Sequence, residues 1–196
     1  MPVTRKRVGV LALQGDFDAH AKAITLAGGE AVEVRTAGQL NSVQGLVIPG
    51  GESTTMLKLL NMMNLIEPLA EFVATRPVFG TCAGAILLAT EVLNPSQQSF
   101  GALDLTVERN AYGRQIDSRV ASISPGAEFQ RRAGEGDVEA VFIRAPIIRR
   151  VGPAVTVLAS YDGDPVLVEQ GRHMVATFHP ELTDDARVHR LFLSKI

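Results

Sequence analysis

The sequence is poor in cysteine and in aromatic residues, with one cysteine, no tryptophan and an aromatic fraction of 5% among 196 residues. A single cysteine excludes an internal disulfide and a metal cluster held by several thiolates. No apolar run approaches the roughly 20 residues that a membrane-spanning helix requires, and no secretory signal peptide is recognisable at the start. We therefore expect a soluble, cytoplasmic protein.

An excess of charge of one sign is also lacking. The chain has 19 Lys and Arg against 21 Asp and Glu, which gives a formal net charge of −2. Such a balance provides no general attraction to nucleic acid or to an anionic membrane. The length suits one domain with a substantial core, so we expect residues 1–196 to form a single domain.

The first ninety residues alternate short apolar runs with segments rich in helix-forming residues. This alternation predicts an α/β fold with an open, mostly parallel sheet and helices on both faces. Beyond residue 101 the predicted strands follow one another without helices, which indicates an antiparallel extension. Residues 124–136 contain glycines, a proline and few apolar side chains, so we predict a surface loop there. A helix over about 185–193 closes the chain.

The one cysteine, Cys82, lies where an apolar run at 77–81 meets an Ala/Leu-rich segment. The first predicts a buried strand and the second a helix. Gly80 and Gly84 lie two residues to either side and permit the sharp strand-to-helix turn of a nucleophile elbow. Because this turn places the sulfur near the free amides of a helix N-terminus, which favour a thiolate, we predict a reactive thiol rather than an inert buried one.

His179 is the histidine best placed to act as a base for this thiol. It follows the last predicted strand, and Pro180 favours an extended backbone before it. Residues two apart in an extended chain point the same way, so the Glu181 carboxylate is expected to reach the imidazole ring. A thiol, a base and a group that orients the base form a nucleophilic triad. The other three histidines are interpreted as surface or packing residues: His20, His173 and His189.

A third segment, Pro-Gly-Gly-Glu-Ser-Thr-Thr at 49–55, follows another predicted strand. Its glycines allow backbone amides to approach a ligand at the carboxyl end of the sheet, where open α/β sheets bind ligands. We predict an oxyanion hole formed by the amides of Gly51 and of Ala83, the residue after the cysteine. Glu52 suits a substrate that carries an amine, and Ser53 or the threonine after it is expected to cap the following helix.

Together these segments resemble the class I (triad) glutamine amidotransferases, and within them the family of glutaminase subunits of pyridoxal 5'-phosphate synthase. The glycine-flanked cysteine and the His-Pro-Glu segment are typical of the whole class. The resemblance covers residues 8–192 and is carried by these segments: Leu-Gln-Gly-Asp-Phe at 13–17, the segment at 49–55, Phe-Gly-Thr-Cys-Ala-Gly at 79–84, Arg-Asn-Ala-Tyr-Gly-Arg-Gln-Ile-Asp-Ser at 109–118, Phe-Ile-Arg-Ala-Pro at 142–146 and His-Pro-Glu-Leu-Thr at 179–183.

The resemblance implies a flavodoxin-like, class I glutamine amidotransferase fold and hydrolysis of L-glutamine. It implies Cys82 as the nucleophile, with His179 and Glu181 as its relay. It implies substrate contacts from six residues: Gly51, Glu52, Ser53, Arg109, Ile143 and Arg144. It implies neither a metal nor an organic cofactor.

A partner is also expected. Only fifteen residues follow Glu181, which we interpret as too few for an ammonia-accepting domain. The resemblance implies that the barrel-shaped synthase subunit accepts the ammonia in a hetero-oligomer. It further implies low glutaminase activity before docking, because the oxyanion site is incompletely formed in the free subunit.

Two other functions are compatible with the residues alone. A stand-alone cysteine hydrolase or peptidase would show strong activity without a partner. A regulatory subunit that has lost its chemistry would keep the fold, but the intact set of Cys82, His179 and Glu181 argues against it. Ammonia release from glutamine, with and without the synthase subunit, separates these alternatives.

Overall fold

A computed structural model describes residues 5–111 and 118–196 of the chain. Most of the Arg-Asn-Ala-Tyr-Gly-Arg-Gln-Ile-Asp-Ser segment therefore lies outside the described residues. The strands are β1 Arg7–Leu11, β2 Glu30–Val34, β3 Gly45–Ile48, β4 Val78–Thr81, β5 Ala89–Leu93, β6 Leu103–Glu108, β7 Ser118–Ile123, β8 Val138–Ile143, β9 Ile147–Val151, β10 Thr156–Tyr161, β11 Asp164–Gln170 and β12 His173–Ala176. The helices are α1 Phe17–Leu26, α2 Ala37–Asn41, α3 Ser53–Met62, α4 Ile66–Thr75, α5 Ala83–Leu88, α6 Ala127–Ala133 and α7 Arg187–Leu193, with a 3-10 turn at Pro180–Leu182.

The main sheet has, within the described ranges, seven strands in the order β10-β11-β12-β4-β3-β1-β2. Strands β2, β1, β3, β4 and β12 are parallel, and β11 and β10 continue the sheet in antiparallel fashion. The parallel part begins with the 2-1-3-4 order of flavodoxin-like sheets, with β12 in the fifth position. The predicted open, mostly parallel sheet with an antiparallel extension is therefore confirmed.

Both faces of this sheet are buried, as its continuous apolar strands predict. Side chains alternate along a strand, and in β3 Leu46 and Ile48 pack into one apolar cluster while Val47 packs into the other. Helices α3, α4 and α5 cover the first face through residues such as Met56 and Leu69. Helices α1 and α7 cover the second face. Helices on both faces were predicted and are present.

The topology determines where a site can form. Strands β1, β3, β4 and β12 are parallel neighbours, so their carboxyl ends lie along one edge of the sheet. The loops after β1, β3 and β4 and the segment after β12 all leave from this edge. They contain the Gln-Gly-Asp, Gly-Gly-Glu, Cys82 and His179 segments respectively. Four segments that are distant in sequence thereby meet.

Several local expectations were wrong. Residues 124–136 are not a loop throughout, because α6 forms there and buries Phe129 completely, while Glu128 pairs with Arg131 one turn away. The Ala/Leu-rich segment after Cys82 is helical to Leu88, as predicted, but the strand β5 that follows it and pairs in parallel with β6 was not predicted. Helix α2 and strand β9 were not predicted. The short length of these elements explains the omission, since five residues give little periodicity.

A search of the described residues finds no helix that is long and apolar enough to cross a membrane.

Candidate active site

Cys82 lies at the junction of β4 and α5 in a strained backbone conformation. Its φ of +49° and ψ of −104° are unusual for a residue with a side chain and cost free energy that the surrounding structure must supply. The Cys82 amide donates to the Ala176 carbonyl of β12, at 2.9 Å, which fixes the turn to the neighbouring strand. This geometry is that of a nucleophile elbow.

The glycines flanking the cysteine are required by close packing. A Cβ on Gly80 would lie 2.5 Å from the carbonyl group of Gly84, and a Cβ on Gly84 would lie 2.2 Å from the Ile48 carbonyl oxygen of β3. Real Cβ atoms do not approach backbone atoms so closely, because the overlap is repulsive. The elbow can therefore form only with glycine at both positions.

His179 and Glu181 are in direct contact, as predicted from their spacing. The His179 Nδ1 atom is 2.7 Å from Glu181 Oε1, and the Glu181 side chain is fully buried. The local conformation differs from the expected extended chain, because Glu181 lies in the 3-10 turn that begins at Pro180. The His179 amide donates to the Val141 carbonyl of β8, at 2.8 Å, so the histidine is held by backbone as well as by the carboxylate.

The imidazole of His179 lies between the thiol and the carboxylate. Burial lowers its pKa, but hydrogen bonds to the Cys82 sulfur and to Glu181, together with their negative charges, outweigh burial and raise the pKa from 6.5 to about 10. The two neighbours thus favour the protonated form of His179. The Cys82 sulfur is also 3.8 Å from the Ile143 carbonyl oxygen.

The glycine loop after β3 packs directly on the thiol and the imidazole. A Cβ on Gly50 would lie 2.5 Å from His179 Cε1 and 3.3 Å from Cys82 Cβ. Gly51 follows with a φ of +134°, a conformation that favours glycine. The predicted oxyanion-hole residue Gly51 is therefore one residue from the point of closest approach to the nucleophile, and Ala83 follows the nucleophile directly.

Glu52, rather than Ser53 or Thr54, caps helix α3. Its carboxylate accepts hydrogen bonds from the Thr54 amide at 3.1 Å, from the Thr55 amide at 2.8 Å and from the Thr55 hydroxyl at 2.7 Å. The longer glutamate side chain can reach these amides because residue 52 is extended, while Ser53 already belongs to the first turn and is 2% exposed. Partial burial raises the pKa of Glu52, but hydrogen bonds from Thr55 and Thr54 outweigh it and lower the pKa to about 2.

The Leu-Gln-Gly-Asp-Phe segment after β1 supports the glycine loop from behind. With its amide assigned by the hydrogen-bond network, the Gln14 side chain accepts from the Glu52 amide at 2.5 Å and donates to the Glu52 carbonyl at 3.1 Å. Gly15 has a φ of +85°, and a Cβ there would lie 1.9 Å from the Gly50 carbonyl oxygen. The two loops are therefore packed backbone to backbone.

A cavity of about 280 Å³ opens beside Cys82 and His179. All six residues predicted to contact glutamine line it: Gly51, Glu52, Ser53, Arg109, Ile143 and Arg144. The Arg109 guanidinium donates to the Thr54 hydroxyl at 2.9 Å and is 3.4 Å from Glu52 Oε1. Arg144 is exposed and has a φ of +44°, which is strained for arginine. The lining residues thus include two acidic residues, Asp16 and Glu52, and two arginines.

Some residues at the site were not predicted. Asn110, Pro146 and Ile86 also line the cavity. Asn110 and Pro146 lie within segments that carry the resemblance, whereas no sequence signal separates Ile86 from an ordinary core residue. His20 and His189 were interpreted as surface or packing residues; both are fully buried, His20 against Glu181 and Thr81, and His189 against His20. Helical position alone does not reveal that α1 and α7 turn these side chains toward the same point.

Among the described residues, no group of three or more His, Cys, Asp or Glu side chains is arranged to hold a metal ion.

Comparison with known proteins places this geometry in context. A profile of the SNO glutamine amidotransferase family matches residues 10–196. The pyridoxal 5'-phosphate synthase subunit PdxT of Solibacter usitatus (strain Ellin6076) is 64% identical over 191 residues, which cover 97% of this chain and 100% of that protein. The PdxT subunit of Thermotoga maritima is 48% identical over 191 residues, covering 97% and 99% respectively.

Solved structures share the fold. One described as the crystal structure of glutamine amidotransferase has a TM-score of 0.85 and 45% identity, and the match covers 96% of this chain and 97% of that one. The structure of PurLQS from Thermotoga maritima has a TM-score of 0.71 at 15% identity, covering 97% and 99% of the two chains. At that identity the likeness concerns the fold alone.

Proposed function

The chain belongs to the SNO glutamine amidotransferase family, and from this premise we propose that it is the glutaminase subunit of a pyridoxal 5'-phosphate synthase. It hydrolyses L-glutamine to L-glutamate and ammonia and passes the ammonia to a synthase subunit. The observation that carries the proposal is the alignment of Cys82, His179 and Glu181 at one end of a cavity of about 280 Å³.

The reaction begins with the thiol. His179 takes the proton from Cys82, and the thiolate attacks the side-chain amide carbon of glutamine. His179 then donates that proton to the leaving nitrogen, and ammonia departs as the glutamyl thioester forms. Water, activated by the now neutral His179, attacks the thioester and releases glutamate and the free thiol. Glu181 holds the ring with Nδ1 protonated and stabilises the imidazolium through the 2.7 Å contact.

Charge develops on the amide oxygen during the attack. We assign the amides of Gly51 and Ala83 to the stabilisation of this oxyanion, since one belongs to the loop packed against the nucleophile and the other follows it. The carbonyl of Ile143 lies near the sulfur and accepts rather than donates, so it suits the substrate's amide N–H groups and not the oxyanion.

The polar groups of the cavity suit an amino acid zwitterion. Glu52 supplies an anion for the ammonium group, and Arg109 and Arg144 supply donors for the carboxylate. Glu52 remains ionised in its cap, because its pKa is lowered to about 2, so one carboxylate can serve both the helix and the substrate. Gly51, Ser53 and Ile143 complete the proposed contacts from the cavity wall.

The ammonia requires an acceptor. We assign this role to a barrel-shaped synthase subunit that assembles with this chain, and we expect docking to complete the oxyanion site and raise the glutaminase rate. We further propose that residues 1–196 act as one domain and that the protein works in the cytoplasm, without a metal or an organic cofactor.

Ammonia release from glutamine tests the proposal. Purified chain, with and without the synthase subunit, is compared with the Cys82→Ala variant. We expect turnover by the complex, little by the free chain and none by the variant. Full activity of Cys82→Ala in the complex would show that the nucleophile is assigned wrongly, and strong hydrolysis by the free chain would contradict the role given to docking.

A further inference from the structure

Two histidines form a buried pair behind the proposed triad. His20 on α1 and His189 on α7 are both fully buried. Their rings are tilted, with centroids 5.2 Å apart, and His20 Nδ1 is 3.0 Å from His189 Nε2. The proposed mechanism uses neither ring. Burying two imidazoles costs free energy unless their nitrogens are hydrogen-bonded.

The second nitrogen of His20 faces the triad itself. His20 Nε2 is 3.4 Å from Glu181 Oε1 and 3.1 Å from the hydroxyl of Thr81. Thr81 is the last residue of β4 and immediately precedes Cys82. The ring of His20 therefore contacts both the acid that orients the base and the strand that carries the nucleophile.

The surrounding contacts assign the proton of this ring. If His20 carries hydrogen on Nε2, it donates to the Thr81 hydroxyl and turns its N–H side to Glu181, and its Nδ1 accepts from His189 Nε2–H. Of the four nitrogens of the two rings, His189 Nδ1 alone then lacks a partner among the described residues, and it does so as a lone pair. In the opposite arrangement, two lone pairs meet between His20 Nε2 and the carboxylate, and His189 Nδ1 buries an unpaired N–H, which is the costlier defect.

Both rings are uncharged near neutral pH. Burial lowers the pKa of His20 well below 6.5, and the neighbouring charges of His189 and His179 lower it further. Burial lowers the pKa of His189 to about 4. The Glu181 carboxylate thus faces His179, whose pKa is raised, on one side and the neutral His20 ring of α1 on the other.

We propose that His20 is a positioning residue for the glutaminase reaction: its ring, hydrogen-bonded to Thr81 and 3.4 Å from Glu181 Oε1, keeps the Glu181 carboxylate in the orientation that fixes His179. This inference rests on the proposed function and extends the triad by one residue. Glu181 Oε1 is shared by the two imidazoles, while Glu181 Oε2 has no hydrogen-bond partner in the ranges that the structure describes. In those ranges the buried carboxylate makes one hydrogen bond, to His179, and the adjacent His20 ring is the second polar group that contacts it.

Three substitutions separate positioning from packing. His20→Leu removes the donor, whereas His20→Gln carries an N–H at the same position along the side chain. His173→Leu is the matched control, because His173 is also buried but its Nδ1 accepts from the Val78 amide at the far end of β4. A thermal unfolding curve for each variant reports any general loss of stability.

The first readout is glutamine hydrolysis by the complex with the synthase subunit. We expect His20→Leu to lower kcat by about tenfold or more, as expected for the loss of a polar partner beside a buried charge, with little change in KM. His20→Gln should restore most of the rate, and His173→Leu should retain it. Equal rates for His20→Leu and the wild type, or equal losses for His20→Gln and His20→Leu, would overturn the proposal.

The second readout needs neither glutamine nor the partner. The rate at which iodoacetamide alkylates Cys82 reports the thiolate, and we expect its pH profile to move to higher pH in His20→Leu and to return in His20→Gln. Nitrogen NMR of the wild-type chain between about pH 6 and pH 9 should show His20 as the neutral Nε2–H tautomer. An Nδ1–H tautomer or an imidazolium at His20 would overturn the proposal.

Alkylation of Cys82 and the tautomer of His20 also distinguish a failure of the His20 proposal from a failure of the proposed function. If the wild-type complex hydrolyses no glutamine, the proposed function is wrong, whereas alkylation and the tautomer still decide whether His20 supports the thiol through Glu181.

Discussion

At the scale of single residues, Gly50 controls the distance between the glycine loop and the base. The space where its Cβ would lie is occupied by His179 Cε1, at 2.5 Å, and by Cys82 Cβ, at 3.3 Å. The loop and the two reacting side chains thus fit together only with glycine at this position. A larger side chain at position 50 would displace the imidazole ring of His179 without removing any functional group.

We expect Gly50→Ala to lower kcat/KM for glutamine by about 100-fold or more, since a displacement of about 1 Å can have that effect on a positioned catalytic group. The added methyl group must displace the imidazole ring or the loop. Gly38→Ala is the control, because a Cβ at Gly38 on α2 meets only the Thr36 hydroxyl at 4.0 Å. Steady-state kinetics of the complex make the comparison, and wild-type kinetics for Gly50→Ala would refute this account of the loop.

The raised pKa of His179 predicts the pH above which activity is lost. Burial opposes its charge, but Cys82 and Glu181 raise its pKa to about 10, so the imidazolium persists until the pH rises through that value. In the proposed reaction this form protonates the leaving nitrogen, so kcat/KM should fall above about pH 10 rather than above about pH 6.5.

The Glu181→Gln variant provides the control for this profile. It removes the negative charge that stabilises the imidazolium, so the alkaline limit should move to lower pH. The expected measurement is kcat/KM against pH for both proteins in the complex. An alkaline limit at the same pH in the variant would show that Glu181 does not control the proton on His179.

At the scale of elements, helix α3 begins with a glutamate that also lines the active-site cavity. Glu52 accepts three hydrogen bonds from Thr54 and Thr55, and its pKa falls from 4.5 to about 2. The group is ionised above pH 4.5 in the folded and the unfolded chain alike. Its stabilising contribution is therefore present above that value and is lost as the pH falls through about 2.

We expect Glu52→Ala to lower the free energy of unfolding by about 1 kcal/mol, the usual effect of losing a helix cap. Glu52→Gln should lose less, because its amide oxygen can still accept from the backbone. Since the side chain is half exposed, solvent screening limits the contribution of the charge itself. Urea unfolding at neutral pH measures both variants, and an unchanged midpoint for Glu52→Ala would show that the cap does not stabilise the fold.

The helices, strands and turns also show how much of the local structure can be predicted from the sequence. The elbow and the His-Pro-Glu segment were predictable, because each lies within five consecutive residues and glycine spacing or proline chemistry restricts the local backbone. Glu52 was not identified as the cap, because serine and threonine are the commoner capping residues and the sequence does not show which residue is extended. Helix α6 was missed because one buried side chain, Phe129, anchors it.

At the scale of the whole molecule, the parallel order of β1, β3, β4 and β12 brings the four functional loops to one edge. The alternation of strands and helices predicted this arrangement. The pairing of His20 with His189 could not be predicted, since 169 residues separate them. Their contact depends on how α1 and α7 pack on the sheet, which no local pattern records.

The central claim is that Cys82 forms a covalent intermediate with the side chain of glutamine. Its most direct test is reaction of the complex with a diazoketone analogue of glutamine, followed by mass spectrometry of the peptides. Because the chain contains a single cysteine, an adduct on it is located without ambiguity. We predict stoichiometric modification of Cys82, loss of hydrolysis in proportion to labelling, and protection by L-glutamine. Glutamine hydrolysis that persists after Cys82 is fully modified would contradict the account.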